Sequence, residues 1–283
     1  VIAMRKARPD LEMDLGIDNT DPKRVSFSKN DVSALRKFWL NRSGLGKTWV
    51  KKLNELLKGA VFDDHDPEKL TDKQLIALFS EGYIWVDGLG LESLSPLGHF
   101  RSADYLDACA NRITSLEPLA GLSWLETLRV NRNAITSLAP IGNARRLEAL
   151  HCDKNRLTSL AGLEKITTLR TLHVDENQIT DLSALRALTE LRELALVSNR
   201  ITSLKPLSKL DKLQELYAYD NALTDLAPLS RCKRLQVVEC FWNPGLKNVM
   251  ALKDLPELRQ VISHGALPSN EIQAFARERP DVQ

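Results

Sequence analysis

Seven asparagines, Asn111, Asn133, Asn155, Asn177, Asn199, Asn221 and Asn243, stand 22 residues apart without a slip. A fixed period of this length is the mark of a solenoid, in which copies of one small unit stack into an elongated body. Few other features restrict a chain so strongly. The unit cannot bury its own apolar edge, so each copy must lie against the next.

The unit is legible in three consecutive copies, LETLRVNRNAITSLAPI, LEALHCDKNRLTSLAGL and LRTLHVDENQITDLSAL. Around Asn177 the apolar positions are Leu169, Leu172, Val174, Ile179, Leu182 and Leu185. The LxL stretch alternates, which predicts a short strand with one apolar face turned into the coil. The asparagine ends that strand, where a short amide side chain can bond turn backbone that lacks a strand partner.

The pattern LxxLxLxxN followed by xITxLxPLxxL resembles the 22-residue leucine-rich repeat class shared by bacterial internalins and a regulatory subunit of protein phosphatase 1. Proline recurs at Pro118, Pro140, Pro206 and Pro228, with Gly162 and Ala184 in its place elsewhere. The resemblance spans roughly Tyr83 to Leu267. It implies an α/β fold class: a right-handed leucine-rich repeat solenoid of eight to nine coils, with a parallel sheet on the concave face and a helical N-terminal cap. The unit is too short for a strand, two turns and a full helix, so 3₁₀ or extended segments are expected on the convex side.

Flanking segments read differently. Residues 1–27 are charged and carry Pro9 and Pro22, an extended or disordered pattern. Residues 28–80 show helical periodicity, with Val32, Leu35 and Trp39 on one stripe, and are expected to cap the first coil. Residues 81–267 form the solenoid. Residues 268–283 are expected to close it with a helix from about Asn270 to Glu278, Ile272 and Phe275 facing one side. One extra residue follows Asn243, and Ala266 falls in the last asparagine slot.

Composition narrows the function classes. A formal net charge of +2 gives no global pull toward nucleic acid or a membrane surface. No apolar run approaches the ~18 residues of a membrane span, and the N-terminus lacks a signal peptide's apolar core. The chain is expected in the cytoplasm, or secreted without a visible signal, and as a monomer. Cys152, Cys232 and Cys240 replace core residues and read as small buried hydrophobes, while Cys109 faces outward. They form no disulfide framework, which favours a reducing compartment.

With the register fixed, residues six, four and two before each asparagine face out of the sheet, beside the turn residue just before it. Tyr217, Tyr219, Phe241 and Trp242 fall there on two adjacent strands, where burial inside the coil does not account for them. Strands ~4.8 Å apart would make the four rings one continuous patch, and exposed aromatics are frequent binding anchors. A charge gradient crosses the same face. It is basic at Arg129, Arg132, Lys154 and Arg156, then acidic at Glu176, Glu193, Glu215 and Glu239. A bipolar groove orients a partner more than it adds affinity.

Three other constellations are candidates. His151 and His173 occupy equivalent positions on neighbouring strands, with Asp153 and Asp175 two residues on, a set that could hold a transition metal. KRVSF, Lys23 to Phe27, resembles the docking motif of protein phosphatase 1 regulators and would add an edge strand with paired pockets. GLGKT at Gly44 to Thr48 fails as a phosphate loop because Asn41 stands where the motif needs glycine. No nucleophile, base and oxyanion site converge in the register. The expectation is a non-catalytic protein-recognition module, without cofactor, that binds a protein on its concave face. The alternatives are an adaptor for an enzyme such as a phosphatase, and a metal-dependent site at the histidine pair.

Overall fold

A computed structural model describes residues 36, 71, 82–100, 103–263 and 267–283. The expected segment 1–27, the KRVSF motif and almost all of the expected 28–80 cap lie outside the described residues, as does Ala266.

Each LxL stretch forms one strand of three residues. These are β1 (Tyr83–Trp85), β2 (Tyr105–Asp107), β3 (Thr127–Arg129), β4 (Ala149–His151) and β5 (Thr171–His173). Next come β6 (Glu193–Ala195), β7 (Glu215–Tyr217), β8 (Val237–Glu239) and β9 (Gln260–Ile262). They make one nine-stranded parallel sheet in chain order. Partners stay 22 residues apart through Glu215↔Val237, then shift to 23 at Val237↔Gln260, the consequence of the residue inserted after Asn243. The central residue of each strand from β1 to β8, such as Leu172, is buried inside the coil, while its two neighbours lie on the outward face, where Ala195 alone among them is buried.

The asparagines do more than close a local turn. Asn177 Nδ2 donates to the carbonyls of Val174 and Asp175, three and two residues back, and to Cys152 in the preceding coil. Its Oδ1 accepts the Leu157 N–H at 2.9 Å, again from the preceding coil. All seven asparagines repeat this set, as Asn111 with Leu91 and Asn243 with Leu223 show at the two ends. Stacking therefore satisfies backbone groups that a single coil would leave without partners.

On the convex side the proline slot sets the geometry. Five-residue or three-residue 3₁₀ turns such as Glu117–Leu119, Lys205–Leu207 and Ala227–Arg231 carry proline in their first two positions. Proline's fixed φ suits that entry. Ser or Asp two residues ahead accepts the first N–H, as Ser115 does from Glu117 and Asp225 from Ala227. The coil after Asn155 makes turns instead. Its slot residue, Gly162, has φ 105°, and a side chain there would press to 2.6 Å from Ala139 Cα.

The C-terminal helix α1 (Ser269–Glu278) buries Phe275 against the last coil, while Ile272, one turn earlier, is 41% exposed. The larger tie is Arg279. Its guanidinium donates to the carbonyls of Lys253, Leu255 and Leu258 and pairs with Asp281 at 2.8 Å. Gln283 then pairs with the β9 edge, donating to Arg259 and accepting from Val261. Among the described residues no helix is long and apolar enough to cross a membrane.

Candidate functional site

The sheet presents four outward rows, and the residue just before each asparagine has an unusual backbone. Ala110, Arg132, Lys154, Glu176, Ser198, Asp220 and Trp242 all have φ between 50° and 57°. In the first coil the same slot holds Gly88, at φ 63°. A left-handed φ costs a residue with a side chain ~1–2 kcal/mol, and glycine nothing. Trp242 is therefore the largest side chain placed where the backbone favours the smallest. It is 61% exposed.

Trp242 closes an aromatic cluster. Tyr219 and Phe241 stack with centroids 4.2 Å apart and planes 11° apart. The Trp242 ring meets Phe241 edge-on at 5.1 Å and Tyr219 at 6.4 Å. The four-ring patch expected from sequence is thus a three-ring cluster. Tyr217 turns instead along its own strand, and its hydroxyl donates to Glu215 Oε2 at 2.5 Å. Two residues apart on one strand, these side chains share a face and can reach each other. Burial, the Glu215 bond and the nearby Glu193 and Glu239 push the Tyr217 phenol well above its ordinary range.

The charge gradient is weaker at its basic end than the residue types suggest. Arg129 Nε sits 3.4 Å from Asp107 Oδ2, an ion pair without hydrogen-bond geometry. Lys154 pairs with Glu176 at 2.7 Å, joining the first acidic residue of the gradient to a cation of its basic block. Arg132 remains an exposed cation on this face. Glu193 and Glu215 are direct register partners on β6 and β7, and Tyr217 is the partner of Glu239.

His151 and His173 are brought together as expected, their rings 4.6 Å apart and their Nδ1 atoms 3.2 Å apart. His173 Nε2 lies 2.8 Å from Glu193 Oε1. Which ring donates across the Nδ1–Nδ1 contact is set by the tautomers of the two imidazoles. Asp153 and Asp175 do not join them. Each carboxylate accepts a backbone N–H from the next coil, Asp153 from Asp175 and Asp175 from Val197. Among the described residues, no three metal-ligating side chains come together. Burial, then the His173 and Arg129 charges, hold His151 down to about 4, while burial and the Asp153 charge push Asp175 up to about 6.

A second aromatic group lies on the same face. Tyr83, Trp85 and Tyr105 stand at the first end of the face with centroids 5.8 to 6.2 Å apart. The outward register held the signal, since all three occupy positions six or four residues before an asparagine slot. All four cysteines are free; Cys152, Cys232 and Cys240 are buried, and Cys109 is half-buried on the outward row. Burial, with the Asp107 hydrogen bond and charge behind it, raises the Cys109 thiol to about 11.

This open parallel sheet, with its asparagine ladder and 3₁₀ turns, defines a leucine-rich repeat protein. A family model described as leucine-rich repeats in two copies matches residues 145–187 and 189–231. Internalin C2 from Listeria monocytogenes is similar in structure, with 26% identity and a TM-score of 0.69 over 77% of this chain and 92% of that one. The functional domain of InlJ from the same organism has 22% identity and a TM-score of 0.55, over 65% of this chain and 44% of that one. The plant peptide hormone receptor RGFR1, solved in complex with RGF2, has 18% identity and a TM-score of 0.54, over 60% of this chain and 29% of that one. No curated protein matches the chain. Its repeats are of the internalin class.

Proposed function

We propose that this protein is a non-catalytic recognition module that binds a protein partner on its concave face, with Tyr219, Phe241 and Trp242 as anchors. The observation that carries this reading is Trp242, a large exposed ring held at a left-handed backbone position. Strain kept at a residue the fold does not need is a pointer to function. Aromatic side chains also dominate the few positions that carry most binding energy at interfaces. Arg129, Arg132, His151, His173, Glu193, Glu215 and Glu239 line the route to the anchors and orient the partner. Tyr217 belongs with them, holding Glu215 in place.

The plant receptor in complex with RGF2 supports the use of such a fold for recognition, although the likeness to it is one of fold alone. An open sheet excludes little water, a poor setting for catalysis. The test is capture of partners from lysate by the intact chain and by a Tyr217→Ala, Tyr219→Ala, Phe241→Ala, Trp242→Ala variant of unchanged helix and strand content. A prey held by the first and lost by the second supports the proposal. Equal capture by both overturns it.

A further inference from the structure

The last four regular coils have sixteen outward-row positions, four in each copy from Asn177 to Asn243. Six are carboxylates, namely Asp175, Glu176, Glu193, Glu215, Asp220 and Glu239, and none is Lys or Arg. The four copies before them carry Arg129, Arg132 and Lys154 in the same rows. One cation, Lys154, reaches across to Glu176. Glu193 and Glu215 are register partners, a like-charge pair that weakens a sheet when nothing intervenes. Their own hydrogen-bond partners are the His173 imidazole and the Tyr217 phenol, neither a permanent cation. Beside these carboxylates stands the stacked pair Tyr219 and Phe241, with Trp242 across its edge.

We infer that the strands β6 to β8 receive a cationic segment of the partner protein, arginine side chains lying against the Tyr219, Phe241 and Trp242 rings and pairing with Glu193, Glu215 and Glu239. This rests on the concave-face reading above and names the chemistry of its partner. Arginine fits better than lysine because its planar guanidinium both stacks on rings and forks onto carboxylates. Carboxylate and ring together provide what each lacks alone. The carboxylates steer the encounter, and the rings supply desolvated contact area. The same charge pattern repels nucleic acid and anionic membrane surfaces. Carboxylates already near one another also raise the phenols beside them. Burial first, then Asp175, Glu239, Glu176 and Asp220, push Tyr219 above its ordinary range.

The probe is a peptide of alternating arginine and alanine, titrated into the isotope-labelled full chain at about 0.15 M salt, where only short-range charge contacts survive. Amide shifts confined to β6, β7, β8 and the turn at Trp242 are expected. The lysine counterpart should bind about threefold more weakly, lacking guanidinium stacking. The Glu193→Gln, Glu215→Gln, Glu239→Gln variant should bind about tenfold more weakly with its fold intact, since neutral isosteres on the outward face leave the apolar core untouched. Shifts spread over β2 to β4, undiminished binding by the glutamine variant, or no shifts at all would overturn the inference. If partner capture still depends on Tyr219, Phe241 and Trp242 in that event, the recognition reading stands and only the cationic segment falls. If capture is indifferent to the rings as well, both fall.

Discussion

Tyr219 and Phe241 occupy the same row of neighbouring coils, and their rings lie parallel with centroids 4.2 Å apart. The spacing is close to the inter-strand distance of a sheet, so the stack is dictated by the repeat itself. Any two aromatics placed 22 residues apart in an outward row would tend to meet in this way. What the repeat does not dictate is Trp242, which joins the stack from the left-handed position next to Asn243.

That position allows backbone cost and ring contacts to be separated. Trp242→Ala and Trp242→Gly remove the same ring, but only glycine relieves the φ of 50°. The glycine variant should be the more stable of the two by about 1 kcal/mol in chemical denaturation. Both should lose partner capture. Equal stability would mean that the backbone at Trp242 is not strained in solution.

Asn177 links two coils through Leu157, Cys152 and its own turn. Asn177→Ala leaves the buried Leu157 N–H and the Cys152 carbonyl without that partner, at a cost of about 2–3 kcal/mol in global stability. Thermal or urea unfolding measures it. A loss below about 0.5 kcal/mol would show that water replaces the amide at little cost.

His151 gives the pH dependence a definite sign. Its folded value of about 4 lies below the ordinary 6.5, so between those values the unfolded chain binds a proton that the folded one does not. Its contribution to stability is complete above pH 6.5 and is lost as pH falls toward 4. Asp175 acts oppositely. Raised to about 6 from 3.8, it favours the folded chain as pH falls through that window. His151→Gln should therefore lose less stability than the native chain between pH 7 and 5. Ring titration by NMR checks the cause, with the His151 imidazole neutral at pH 5.

At the far end, Arg279 fastens α1 to three carbonyls of the last coil. Arg279→Ala should speed amide exchange across β9 and α1 by at least about tenfold, equivalent to 1.4 kcal/mol or more, while leaving the coils around Asn155 protected. Stacked repeats interact mainly with their neighbours, so the effect should fade within a coil or two. Uniform acceleration along the solenoid would instead mean that it unfolds as one unit.

The solenoid was legible because its determinants are local and repeated. The 22-residue spacing, the inward leucines and the single insertion after Asn243 carry directly into strand pairing. Side-chain direction was less legible. Tyr217 shares a row system with Tyr219, yet it bonds Glu215, a choice set by rotamer rather than register. The Lys154–Glu176 pair crosses between coils and offsets charges that a residue-by-residue reading assigns to opposite blocks. Arg279 bonds carbonyls 21 to 26 residues away, and nothing in its own helix announces them.

Recognition is proposed to take place on the concave face beside Trp242. A photo-crosslinking amino acid placed at Trp242, at Tyr217 and, on the exposed convex side, at Lys209 tests it most directly when each chain is irradiated in lysate of its source. The same adduct is expected from positions 242 and 217, and none from 209. An adduct from 209 with none from 242 would contradict it, placing recognition on the face that these rings do not reach.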